Sequence, residues 1–224
     1  MSSNEIAALL QGLSAGIIPV LFAITLHEVA HGWAAKSLGD RTAEILGRLS
    51  LNPLRHVDPM GTVLVPILVF TLSGGAFLFG WAKPVPVNFG NLNDPKRDMI
   101  AVAAAGPAAN IVMAFFWAII LSVSVRLADN SGVVAEFLFQ MARIGIFFNC
   151  LLAVFNLIPL PPLDGGRVLR GLVPENLGRR LDSMERFGLI LVVLLLWLGV
   201  LGPLLLPPIF ALQNLLLTLV GIGG

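Results

Sequence analysis

Two histidines four residues apart enclose a glutamate in the run AITLHEVAHGWAAK, residues 23–36. On an α-helix, positions i and i+4 share a face. His27 and His31 can therefore reach one divalent metal ion together, and Glu28 projects beside the same point, placed to take a proton from water. The chain has three histidines, and two of them sit in this motif. Ionisable groups at membrane depth are costly and tend to be functional. The bland alternative is a histidine pair satisfied by backbone carbonyls with Glu28 as partner. A hydrolytic zinc site takes three protein ligands, so a third ligand has to come from elsewhere. His56 and a carboxylate from another segment are the candidates.

A second constellation, FNLIPLPPLDGGRVLRG at residues 155–171, supplies such a carboxylate. Asp164 follows a charge-free run, Ile144–Leu163. Pro159, Pro161 and Pro162 cannot continue a helix and push the preceding residues toward extended backbone. Gly165 and Gly166 permit close approach. The pattern predicts a helix from about Val134 to near Pro159, with Asp164 on irregular backbone at the membrane edge. The alternative is that Asp164 merely caps the helix from Arg167 onward.

The elements that must position these residues are written in the charge pattern. The chain of 224 residues is 57% hydrophobic and 12% charged, against about 25% charged in an ordinary soluble domain. No charge falls in Pro59–Ala82, Met99–Val125, Ile144–Leu163 or Phe187–Gly224. Several apolar stretches reach the ~20 residues that a span needs. The fold class this predicts is an all-α polytopic membrane protein with about five to six transmembrane segments. Four Lys and Arg fall in the loop 36–58, three in 83–98 and five in 164–186, against two, offset by Asp129 and Glu136, in 126–143. Basic loops stay cytoplasmic, which puts the first two and the last inside.

Segment Gly61–Gly80 then joins two inside loops, so a re-entrant or shallow segment turning at Ser73-Gly74-Gly75 is expected. Full spanning is the alternative. The last block, Phe187–Gly224, exceeds one span. Gly202-Pro203 and Pro207-Pro208 predict that it breaks there into a helical hairpin over residues 187–222. The net charge of +1 and the absence of a basic run point away from nucleic acid. The single Cys150 excludes an internal disulfide. The N-terminus MSSNEIAALL lacks a basic n-region and a cleavage site, so no signal peptide is expected.

An HExxH in an apolar helix, followed by N-x2-P-x4-LDGG at the end of another, resembles the site-2 protease family, the intramembrane zinc metalloproteases of peptidase family M50. AAGPAAN at 104–110 is similar to that family's AGPxxN segment. NPLRHVDPMGT at 52–62 and FGWAKPVPVN at 79–88 resemble its compact prokaryotic subfamily. The chain looks like a minimal core without PDZ or CBS domains. A single membrane-embedded domain over 1–224 is expected, with its core at 17–166.

The resemblance implies His27, His31 and Asp164 as ligands of one Zn2+ per chain and Glu28 as general base. It implies Asn156 as a donor to the substrate carbonyl or oxyanion. Asn110 is expected to orient the substrate or its binding loop. Pro84, Val85, Pro86 and Val87 are expected to clamp an unwound substrate along an edge strand. Residues 42–52 would add strands to the same small membrane-associated β-sheet. The alternative is an amphipathic connector. The implied partners are a transmembrane protein or peptide substrate and the bilayer, in a prokaryotic cell membrane with the site open to the cytoplasm. Homo-oligomerisation stays open. A divalent-metal transporter or non-proteolytic metal-binding protein is the competing class. It would spread ligands along a path, and here they gather in one cluster. An inactive homologue would be expected to lose Glu28 or a ligand, and both are present.

Overall fold

The computed structural model describes residues 3–72, 80 and 82–222. Seven helices organise them: α1 (Ser3–Ser37), α2 (Thr42–Ile45), α3 (Val65–Leu72), α4 (Pro95–Asn156), α5 (Asp164–Leu172), α6 (Glu175–Trp197) and α7 (Leu201–Leu219). Among the described residues, four stretches are helical, long and apolar enough to cross a bilayer: Ser14–Ser37, Pro95–Leu127, Gly132–Asn156 and Leu201–Leu219. That is fewer than the sequence predicted. Helix α6 carries its charges along its first half, and Pro59–Thr71 falls short of a full span.

Helix α4 is two spans in one. Gly132 breaks it with φ 39° and ψ −109°, a left-handed backbone that glycine adopts without a Cβ penalty. The chain doubles back there. Trp117 of the first half packs where a methyl on Gly145 of the second would sit. The inner faces are small: Ala114, Ala118, Ala142, Cys150 and Ala153 are all fully buried. Lipid gives helices no hydrophobic drive to associate, so close backbone approach through small residues does that work. Val192 of α6 and Leu201, Leu205 and Ile209 of α7 complete this core.

The C-terminal block breaks between Trp197 and Leu201, not at the prolines. Gly199, φ 71°, lies in that break, and α7 runs through Pro207 and Pro208. Pro203 lies in the first turn, where the N–H would be unbonded anyway. The later pair is tolerated as prolines are in membrane helices, where neighbouring groups satisfy the freed carbonyls.

The expected β-sheet is absent from the described residues. Residues 42–52 begin with the four-residue α2 and continue without strand pairing, and 82–88 run without a partner strand. Two prolines remove alternate donors from that segment, so a ladder cannot propagate. Side chains hold it instead. Arg48 donates to the carbonyls of Lys83 (3.0 Å) and Pro84 (3.3 Å). Asp40 accepts from Asn88 N at 2.7 Å, and also from Thr42 and the Asn91 amide. Burial by itself would raise the Asp40 carboxyl, but these bonds outweigh it and hold it below the ordinary carboxylate range. Of the predicted shallow segment, Pro59–Leu72 is helical. The expected turn at Ser73-Gly74-Gly75 lies outside the described residues.

Candidate metal centre

Helix α1 carries His27 and His31 one turn apart, facing the first half of α4. The rings stand edge-on, with centroids 4.6 Å apart and planes at 85°. Asp164 comes from the start of α5. The chain between α4 and α5 folds tightly over itself. A methyl on Gly165 would strike the carbonyls of Leu157 and Ile158, and one on Gly166 would strike Pro161. Only glycine fits at both, and this lets the Asp164 carboxylate reach the histidines. Asp164 is the first residue of α5, and the N-cap position before it is Leu163.

Three ligand atoms converge. Asp164 Oδ2 lies 3.3 Å from His27 Nε2 and 3.2 Å from His31 Nε2. The two Nε2 atoms are 3.1 Å apart. The side chains are 9% to 13% exposed, so little water reaches them.

The outer hydrogen bonds decide what this cluster can hold. His31 Nδ1 is 2.7 Å from the Val102 carbonyl, which can only accept, so Nδ1 bears the proton. His27 Nδ1 is 2.5 Å from Asn110 Oδ1. The orientation of that amide follows from its other end: Asn110 Nδ2 donates to Ala23 O at 3.1 Å and to Asn149 Oδ1 at 2.9 Å. The carbonyl of Ala23 only accepts, so Asn110 turns its oxygen to His27, and His27 Nδ1 donates. Asn149 is fixed in turn by its bond to Gly145 O at 2.8 Å. In the neutral imidazoles, the form that binds a metal, both Nε2 atoms therefore present lone pairs, and Asp164 Oδ2 is buried without a hydrogen-bond partner. Three acceptors meeting at one point repel one another. A single proton relieves one contact, whereas a divalent cation satisfies all three. The donor set of two imidazoles and a carboxylate, with hydrogen bonds behind each histidine, is that of a hydrolytic zinc site.

The remaining predicted residues fall as follows. Glu28 lies beside the ligands on α1 and accepts from Val85 N at 2.7 Å. Val85 is buried, while Pro84 is exposed and Pro86 and Val87 are half-buried, so this segment does lie against the site. Asn110 is fully buried with its amide committed to His27, Ala23 and Asn149. It reaches the metal ligands, not an open surface where substrate could lie. Asn156 ends α4 and donates to Leu152 O at 3.0 Å, within its own helix. His56 is buried apart from the cluster, with Nε2 2.8 Å from Ser50 O.

The sequence reading missed Asn149 and took Gly106 only as a small residue that lets another helix approach closely. Gly106 lies against both imidazoles, and a methyl there would overlap His31. Asn149 props Asn110. The available signal was an asparagine, the first of two with Asn156, inside the charge-free run 144–163, since a polar group there needs a partner.

The model of the peptidase family M50 matches residues 15–142 and 121–199. The chain belongs to peptidase family M50. It is 38% identical over 198 residues to "Putative zinc metalloprotease YwhC" of Bacillus subtilis, covering 86% of this chain and 84% of that one. It is 32% identical over 176 residues to "Putative zinc metalloprotease Rip2" of Mycolicibacterium smegmatis, covering 79% of this chain and 64% of that one. "Zinc metalloprotease MJ0392" of Methanocaldococcus jannaschii shares 24% identity over 161 residues, 72% of this chain and 35% of its own length. No solved structure matches. Family membership, the zinc-fitting cluster and the apolar spans together make this chain an integral membrane zinc metalloprotease of the site-2 protease kind.

Proposed function

We propose that the chain forms one membrane-embedded protease domain, with its core at 17–166, that cleaves peptide bonds within or near transmembrane segments of other membrane proteins. The observation that carries this is the convergence of Asp164, at the start of α5, with His27 and His31 on a helix long and apolar enough to cross a bilayer, with Glu28 alongside. A soluble substrate would not need its cutting site there.

His27, His31 and Asp164 hold the ion. Zinc, when bound, acidifies water and polarises a carbonyl. Glu28 takes the proton as water attacks the scissile carbonyl and passes it to the leaving amine. One N–H of the Asn156 amide is used within α4. The second is available to the developing oxyanion, the kind of donor that stabilises such charge. Asn110 acts through His27 and fixes its proton on Nδ1. Residues Pro84–Val87 lie along the substrate. A peptide bond in a helix is shielded, so the substrate unwinds locally before it is cut.

The distribution of Lys and Arg supports a site opening to the cytoplasm of a prokaryotic cell. The basic loops 36–58, 83–98 and 164–186 all adjoin the metal centre, and the poorly charged turn near Gly132 lies at the far end of α4. The exposed Ile17, Phe116 and Phe210 suit lipid contact.

The test is a comparison of membrane proteomes from cells carrying this protein or its Glu28→Gln variant. Fragments cut within a spanning segment and found with the wild type alone are expected. Identical proteomes, with both proteins present and zinc-loaded, would remove the protease reading.

A further inference from the structure

The segment Lys83–Asn88 is pinned at every donor that precedes Val87. Lys83 N donates to His56 O at 2.9 Å. Val85 N donates to Glu28 Oε2 at 2.7 Å. Pro84 and Pro86 have no N–H, so Val85 provides the sole backbone donor between Lys83 and Val87. Arg48 holds the carbonyls of Lys83 and Pro84, which fixes the peptide unit leading into Val85.

The opposite partner is shaped to receive it. Gly32 follows Glu28 by one helical turn and shares its face. A methyl on Gly32 would fall 2.7 Å from Val85 Cγ1. Its absence lets the Val85 backbone come near enough to α1 for the N–H to reach the carboxylate.

A glutamate on a flexible stem samples several rotamers, and a base works only where its oxygen meets the proton it must take. We propose that the Val85 N–H is the positioning donor for Glu28. It holds Oε2 and leaves Oε1 for the proton. This rests on the reading of Glu28 as the base, and it extends that reading to the substrate clamp. The backbone that lies along the substrate also sets the base, so a substrate seated on Pro84–Val87 is in register with Glu28 from the outset. The Val87 N–H, which has no partner among the described residues, stays free for the substrate.

Hydrogen exchange on the zinc-loaded protein in nanodiscs tests this directly. In peptides spanning Lys83–Asn88 the prolines leave Val85, Val87 and Asn88 as the internal amides, and fragmentation after Pro86 reads Val85 apart from the other two. Slow exchange is expected in the wild type, fast exchange in Glu28→Ala, and restored protection in Glu28→Gln, which keeps an acceptor oxygen. Fast exchange in the wild type, or equal protection in Glu28→Ala, would overturn the proposal. In a cleavage assay on a transmembrane reporter peptide, Val85→Pro is expected to lower kcat about tenfold to a hundredfold with KM and zinc content unchanged. Val85→Ala, which keeps the N–H, should lose less of kcat than Val85→Pro. A raised KM at constant kcat would assign the N–H to the substrate instead, and loss of zinc would reduce the segment to packing. Either result sinks the proposal. Should Val85→Pro fail to fold, the exchange comparison decides alone. A fully active Glu28→Gln would remove the base reading itself, whatever the exchange shows.

Discussion

Gly106→Ala is the sharpest probe of the metal centre, because it adds one methyl and removes nothing. That methyl would fall 2.6 Å from His31 Cε1 and 2.7 Å from His27 Cε1, and closer still to His31 Nε2. Carbon atoms in contact need about 3.5 Å, so the imidazoles must retreat by about 0.9 Å. Metal ligands tolerate displacements of about 0.2 Å. The histidines cannot retreat freely, because Val102 O and Asn110 hold their far sides. Disturbing the groups that orient a ligand costs about tenfold to a hundredfold in metal affinity, and displacing the ligands themselves should cost at least that. The assay is zinc content by mass spectrometry together with a competition titration against a chelator. Secondary structure by circular dichroism serves as the control for folding. A folded Gly106→Ala protein that binds zinc as tightly as the wild type would refute the packing argument, and with it the placement of α4 against the site.

Other outcomes follow from the same contacts. Asn110→Ala should lower zinc affinity by about tenfold to a hundredfold, since His27 loses the partner that fixes its proton on Nδ1. Asn149→Leu should have a smaller effect in the same direction, read by the same titration. Asp40→Ala strands the Asn88, Thr42 and Asn91 donors and should cost about 2 to 3 kcal/mol in unfolding experiments. The Asp40 carboxyl has a lower pKa folded than unfolded. It therefore adds stability above the unfolded value of about 4, and that contribution is lost as pH falls through the folded value. A melting series from neutral pH to pH 3 should decline at its acid end, and Asp40→Asn should decline less.

The sequence made the converging group of His27, His31 and Asp164 legible because its signal is local. His27 and His31 are spaced by one helical turn, and Asp164 stands out as the acid that ends a charge-free run. The two glycines after it announced a close approach, and Gly165 against Leu157 O is that approach. The groups behind the ligands were not legible in the same way. Asn110 meets His27 across 83 residues and Asn149 across 39. No spacing rule encodes such pairs, so Asn110 looked like a substrate contact. The break in the last apolar block was misplaced because proline rules from soluble helices were carried into a membrane helix. The true break, around Gly199, lies just upstream of those prolines. The β-sheet failed for a related reason. The alternation in KPVPVN resembled a strand, but prolines at every second position remove the donors that a sheet requires.

The structure also explains how an HExxH helix works where water is scarce. In a soluble enzyme, ordered water can orient a ligand histidine. Here the protein supplies each outer contact itself. The chain from Ala23 O through Asn110 to Asn149 and Gly145 O joins α1 to both halves of α4 with no water in the path. Each amide in it is oriented by an acceptor that cannot donate, so the direction of every bond is forced. The result reaches His27 as a single tautomer with its Nε2 lone pair aimed at the site. Buried polar networks specify structure only when every member is satisfied. This one is satisfied everywhere except at the two Nε2 atoms and Asp164 Oδ2, the points left for the ion. The same bonds hold the three helical segments together and prepare the ligands, so the packing of α1 on α4 and the affinity for zinc are one property of the fold.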